Sequence, residues 1–135
     1  MKKILFLLFA VMFIGSSCDN LPNATHSEYI TIHEDQWRWD DAEDYFYCEV
    51  YIPELTRSVL EDGIITTFYV TTVNKTEVMY PLPYDYYVVD KAGYRWTEQS
   101  TCEIRPGYIT FITKHNTRDY SIRPPKLVFK VNMMW

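Results

Sequence analysis

The chain has 135 residues and a formal net charge of −5 at pH 7, with 12 Tyr and 4 Trp. Its acidity argues against nucleic acid as a partner, because phosphate binding requires a basic field. With only four glycines, the chain lacks a glycine-rich phosphate cradle, and this excludes the common nucleotide-binding motifs.

The N-terminus has the three parts of a secretory signal. Lys2 and Lys3 are followed by an apolar run of eleven residues, 4–14, and then by the small residues 15–17. The apolar run is too short to cross a bilayer as a helix, which needs about 20 residues. We therefore predict a signal peptide at 1–17, removed before Cys18.

The position of Cys18 resembles the lipobox of bacterial lipoproteins, although Gly15 stands where that family usually has Leu. The resemblance implies that the Cys18 thiol carries a diacylglyceryl group and that the new amine is often acylated too. Two or three acyl chains make a stable membrane anchor, whereas one gives only marginal binding. The alternative is ordinary secretion with cleavage near Ser17, which would leave a free thiol.

The mature chain is predicted to begin with a lipidated tether at 18–27, followed by one domain at 28–135. From Glu28 onward, apolar and polar residues alternate with the period of two that is typical of half-buried strands. The predicted strands are 29–32, 45–52, 64–73, 86–90, 94–104, 108–113 and 127–135. A Lys91-Ala92-Gly93 turn joins two of them into a hairpin, and Arg105-Pro106-Gly107 forms another turn.

One segment departs from this alternation. Residues 53–63 begin with Pro, end with Gly and carry Leu55, Val59 and Leu60 at helical spacing, so a helix of two or three turns is expected. Seven or so short strands with proline and glycine turns favour an all-β fold, an antiparallel β-sandwich of immunoglobulin-like or related type. A small β-barrel is the alternative.

Several short motifs resemble a group of uncharacterised envelope lipoproteins of gut-type bacteria. These motifs are Trp37…Trp39…Tyr45, Pro53-Glu54-Leu55-Thr56, Asp62-Gly63, Leu82-Pro83-Tyr84 and the closing residues 129–135. The resemblance implies a β-sandwich lipoprotein at the cell envelope, on the outer membrane, and brings no activity with it.

Cys48 and Cys102 are the remaining thiols, and export into an oxidising compartment makes a disulfide between them plausible. It would close a loop of about 54 residues and contribute on the order of 4 kcal/mol. Two separate buried thiols are the equal alternative.

No cofactor or metal site is expected from the remaining polar residues. The acidic residues at 34–35 and 40–44 lack the alternating spacing of a calcium loop and are interpreted as a solvated loop. His26, His33 and His115 do not form pairs at metal-ligand spacing, and no nucleophile elbow is present.

Aromatic residues give the most specific functional hypothesis. Trp37 and Trp39 would share one face of a strand, and the segment Tyr80–Tyr87, with Tyr84 and Tyr86, is too rich in proline and tyrosine to be wholly buried. Exposed rings could stack on sugars or anchor a protein partner. The alternative is that the tryptophans are core residues.

We therefore expect a non-catalytic envelope protein that binds a glycan or peptide, or that scaffolds an assembly. A second hypothesis is docking on an envelope protein through charge. Residues 19–90 contain fifteen acidic and three basic residues, whereas residues 91–135 contain three acidic and eight basic ones. The simpler interpretation of this asymmetry is that oppositely charged strands lie side by side. A secreted hydrolase is the least favoured hypothesis.

Overall fold

The computed structural model describes residues 24–117 and 119–135. Within them the strands are β1 (Thr25–Ile32), β2 (Arg38–Asp40), β3 (Tyr45–Tyr51), β4 (Ile64–Val73), β5 (Thr76–Pro81), β6 (Tyr84–Val89), β7 (Arg95–Arg105), β8 (Tyr108–His115) and β9 (Leu127–Met134). A 3₁₀ turn at Glu34–Gln36 precedes β2, and one α-helix, α1 (Arg57–Asp62), precedes β4.

The strands form two antiparallel sheets. Sheet A has the order β1-β9-β4-β5, and sheet B has the order β2-β3-β8-β7-β6. Because the two sheets do not close on each other, the predicted β-sandwich is confirmed and the barrel alternative is wrong. The strand count exceeds the expected seven because the short β2 and the separate β5 were not anticipated.

The core lies between the two sheets and is built by strand alternation. Every second residue of β9 is buried, namely Leu127, Phe129, Val131 and Met133. Phe129 stacks on Phe111 of the opposite sheet, with ring centroids 4.3 Å apart. Burying a phenylalanine of this kind contributes roughly 1.5–3 kcal/mol, so these rings hold the two sheets together.

The helix is shorter than predicted. It begins at Arg57 because the Thr56 side chain caps it by accepting a hydrogen bond from the Val59 amide, while Pro53 lies in the preceding turn. Its end is fixed by close packing at Gly63, where an added Cβ would lie 2.5 Å from the Val59 carbonyl oxygen. Val59 and Leu55 are buried, so the segment closes one part of the core.

Two predicted boundaries also change. Residues 25–27, which were predicted to lie in the tether, pair with the end of β9 and begin β1. Trp135 was expected on the buried face of the last strand, but it follows the strand and is 38% exposed. The predicted turns at Gly93 and Gly107 are confirmed, and both glycines have positive φ angles, of 84° and 80°.

Candidate functional site

The outer face of sheet B is rich in tyrosine. In β3 the inward residues Phe46 and Cys48 are buried, and the alternation that buries them turns Tyr45, Tyr47 and Tyr51 to the opposite face. Two more strands add a ring each to this face. We call Tyr45, Tyr47, Tyr51, Tyr87 and Tyr108 the outer tyrosine face.

One end of this face combines rings with charged groups. Tyr51 pairs in register with Tyr108, and their ring centroids are 5.3 Å apart. The Arg105 guanidinium lies 5.2 Å from the Tyr108 centroid and donates a hydrogen bond to the Glu49 carboxylate. An adjoining depression of about 380 Å³ is lined by Tyr45, Tyr47 and Thr110, among others. Flat rings and hydrogen-bonding groups therefore alternate across the surface.

The other end lies at the edge strand β6. Tyr87 is 85% exposed and pairs in register with Thr97 of β7. Together with Arg95, Trp96 and Asn116 it lines an open depression of about 500 Å³. The Asn116 amide donates to the Thr97 carbonyl oxygen at 3.0 Å, which fixes the loop that forms this rim.

Between the two ends the face is packed rather than open. Ile112 points outward, because its neighbour Phe111 points into the core, yet it is only 2% exposed. Its partners in register are Tyr47 on one side and Thr101 on the other. Ile112 is therefore packed under the side chains of its neighbours. This packing restricts the motion of the outer tyrosine face, as a preorganised binding surface requires.

The tryptophans singled out from the sequence point into the core. Trp37 is 1% exposed, packs edge-on against Phe129 and donates its indole N–H to the Pro125 carbonyl oxygen. Trp39 is half-buried against Phe46, at a centroid distance of 4.9 Å. The prediction that Trp37 binds a ligand is therefore wrong, because an interior ring cannot reach one, and Trp39 presents only part of its surface.

Tyr84 and Tyr86, the other two predicted binding residues, belong to a stack of rings that bridges the sheets. Tyr84 lies 4.2 Å from Tyr80 and 5.5 Å from Tyr69, and Tyr69 lies 5.5 Å from Tyr86, all with nearly parallel planes. Burial raises the pKa of Tyr69 and of Tyr86. Because the ring faces contact one another, these tyrosines pack the two sheets together, and the stacked faces are not available to a ligand.

A buried polar cluster lies behind this stack. The Glu98 carboxylate accepts hydrogen bonds from the Tyr86 hydroxyl and from the Trp96 indole, each at 2.8 Å. The His115 Nδ1 is 3.3 Å from the same carboxylate without hydrogen-bond alignment, and the imidazole has no hydrogen-bond partner among the described residues. Glu98 is 2% exposed, and the His115 side chain is fully buried. A carboxylate and an imidazole thus lie side by side, both buried.

Cys48 and Cys102 are free thiols, which contradicts the disulfide alternative. Cys48 and Cys102 both pair in register with Phe111, from opposite sides of β8. Two strand spacings separate them, about 9.6 Å, which exceeds the roughly 7 Å that a disulfide can span. Burial raises the pKa of both thiols.

The acidic segment and the charge asymmetry have simple structural explanations. Asp40 uses its carboxylate to accept from the Ala42 and Glu43 amides, as a turn residue does. The acidic part of the chain pairs with the basic part inside the sheets, since β3 lies beside β8 and β1 beside β9. The Arg105–Glu49 ion pair joins the two halves, as the simpler interpretation of the asymmetry expects, and docking through charge stays a hypothesis.

Cys18 and the predicted signal peptide lie outside the described residues. No helix in the described part of the chain is long and apolar enough to cross a bilayer. Comparison of the chain with protein-family models, with curated proteins and with solved structures gives no match. The function must therefore be argued from the geometry of the outer tyrosine face.

Proposed function

We propose that this protein is a non-catalytic lipoprotein of the bacterial envelope, anchored through Cys18, whose β-sandwich binds a glycan on the outer tyrosine face. The observation that supports this proposal is the gathering of five tyrosines from three strands, β3, β6 and β8, on the outer face of one sheet. β7 contributes the polar residues between them.

The chemistry of this face suits a sugar. A tyrosine ring is negative on its face and attracts the polarised C–H bonds on one side of a sugar ring. Hydroxyl groups at the sugar's rim can exchange hydrogen bonds with Thr97, Thr110 and Asn116, which lie beside the rings. Arg105 is paired with Glu49, but Asp40 and Glu103 line the same depression, so the local charge is negative and favours a neutral sugar over an anionic one.

The binding test compares tyrosines on the two outer faces of the sandwich. The full-length protein in detergent is titrated calorimetrically with a panel of neutral and acidic polysaccharides. Tyr87→Ala and Tyr51→Ala should each weaken binding about tenfold, which corresponds to about 1.4 kcal/mol. Tyr29→Ala is the matched control, since Tyr29 is 50% exposed but lies on the outer face of sheet A. Binding to no polysaccharide, or an equal loss in the control, would contradict the proposal.

The anchor is tested separately. Cys18→Ala should leave unprocessed precursor or release the domain from the membrane fraction, because the acyl chains and the cleavage both require that thiol. Detergent phase partitioning and mass spectrometry of the native protein compare the variant with the wild type. A mature wild-type protein that carries no fatty acyl chain would overturn the lipid anchor and leave the glycan proposal to stand on the binding data.

A further inference from the structure

Three potential metal ligands meet beside the first strand. His26 and Glu28 are two residues apart on β1, so they lie on the same side of it, and that side continues into the buried Ile30 and Ile32. Glu54 reaches the same point from the turn that follows β3. The cluster thus joins a strand of sheet A to a segment that leaves sheet B.

The separations within this cluster are short. The His26 Nε2 is 3.3 Å from a Glu28 carboxylate oxygen, and the His26 Nδ1 is 4.0 Å from a Glu54 oxygen. One ligand atom from each residue can be chosen so that all three lie within 4.8 Å of one another. The three side chains are 30%, 42% and 38% exposed, so an ion from solvent can reach them.

The two carboxylates lack basic partners. Among the described residues, neither Glu28 nor Glu54 has a lysine or arginine within 4.0 Å, whereas Glu49 and Glu61 each pair with an arginine. Two carboxylates that share only an imidazole gain from a cation placed between them. The cluster therefore has two carboxylates without a lysine or arginine partner, and its three potential metal ligands converge on one point.

We propose that His26, Glu28 and Glu54 bind a divalent transition-metal ion of the zinc type. Zinc takes imidazole nitrogen and carboxylate oxygen at about 2.0–2.2 Å, with water in a fourth position. At these bond lengths tetrahedral ligand atoms lie about 3.3 Å apart, which matches the His26–Glu28 separation. The 4.0 Å separation of Glu54 is measured from the other ring nitrogen, so Glu54 must move towards an ion that is bound at the Nε2, and the present ligand atoms lie within 4.8 Å of one another. Calcium and magnesium are less suitable because both prefer oxygen ligands alone.

The bound ion would have a structural role that is independent of glycan binding. β1 is an edge strand of sheet A, held along one side by β9. An ion shared with Glu54 would link this edge strand to the turn preceding α1 and would raise the stability of the whole sandwich. This stabilisation should grow with the concentration of the ion, as for any ligand that binds only the folded state.

The test uses the full-length protein in detergent, stripped with a chelator and titrated with Zn²⁺ by calorimetry. We expect one ion per chain, a Tm that rises with Zn²⁺ concentration, and little response to Mg²⁺ or Ca²⁺. His26→Ala should abolish both effects, and Glu28→Gln and Glu54→Gln should each weaken binding at least tenfold. His33→Ala and Glu61→Gln are matched controls, since both residues are exposed and lie outside the cluster.

Two results would overturn the proposal. Absence of Zn²⁺ binding by the wild-type protein would mean that His26 only forms an ion pair with the two carboxylates, as inward charges on an edge strand often do. Binding that survives in His26→Ala but is lost in His33→Ala would place the ion elsewhere. Circular dichroism of each variant verifies that the fold is kept.

Discussion

Glu98 shows how one buried carboxylate organises its neighbours. Transfer of a charged group into the interior is costly unless hydrogen bonds replace its hydration. Here the Tyr86 hydroxyl and the Trp96 indole both donate to the carboxylate. Burial raises the pKa of Tyr86, and the negative charge of Glu98 raises it further, so the phenol stays a donor at neutral pH. The carboxylate thus fixes two aromatic residues of adjacent strands.

We therefore predict that Glu98→Ala lowers the free energy of unfolding by roughly 3 kcal/mol. The substitution leaves two donors without their acceptor, and each unsatisfied buried group costs about 1–3 kcal/mol. Tyr86→Phe, which removes one hydrogen bond and leaves the Trp96 bond intact, should cost about 1 kcal/mol. Urea unfolding followed by tryptophan fluorescence measures both values.

The control for this prediction is Glu61→Ala. Glu61 is exposed and pairs with Arg57 one helical turn earlier, an interaction worth about 0.3–0.5 kcal/mol. If Glu98→Ala proves no more destabilising than Glu61→Ala, the buried cluster does not stabilise the fold in the manner described.

At the level of elements, strands with a strict alternation could be predicted from the sequence, because the pattern within one strand decides which side is buried. The predicted inner and outer faces of β3, and the buried residues of β9, are confirmed. The β4–β5 hairpin was missed. Its turn residues Asn74 and Lys75 have φ angles of 51° and 65°, and a lysine in that conformation gives no glycine signal to recognise.

Features that depend on which strands are neighbours could not be predicted. The pairing of Tyr51 with Tyr108 and the placement of Cys48 and Cys102 on either side of Phe111 are consequences of register across β8. The contact of Glu54 with His26 joins positions 28 residues apart in the sequence. The spacing of Trp37 and Trp39 left open an exposed strand face or burial in the core, and Trp37 precedes β2 and is buried, which confirms the second for this residue. The candidate sites therefore emerge only from tertiary structure.

For the whole molecule, the many interior hydroxyl and thiol groups have a shared consequence. Burial raises the pKa of Tyr69 and Tyr86 above their usual value of 10.0, and of Cys48 and Cys102 above 9.0. In each case the folded state favours the neutral form. At pH 8 and below, both the folded and the unfolded chain keep nearly all of these protons, so these groups add almost nothing to the pH dependence of stability there.

Above that range the unfolded chain releases the protons first, and stability must fall as the pH rises through the usual thiol and phenol pKa values. Each group contributes a slope of at most about 1.4 kcal/mol per pH unit. We expect the urea midpoint to change little between pH 7 and 8 and to decline from about pH 8.5 to 11. In Tyr86→Phe the decline above pH 10 should be shallower, because one of the titrating groups is gone. A midpoint that rises in this interval, or a variant slope equal to that of the wild type, would show that these groups are not buried as neutral species.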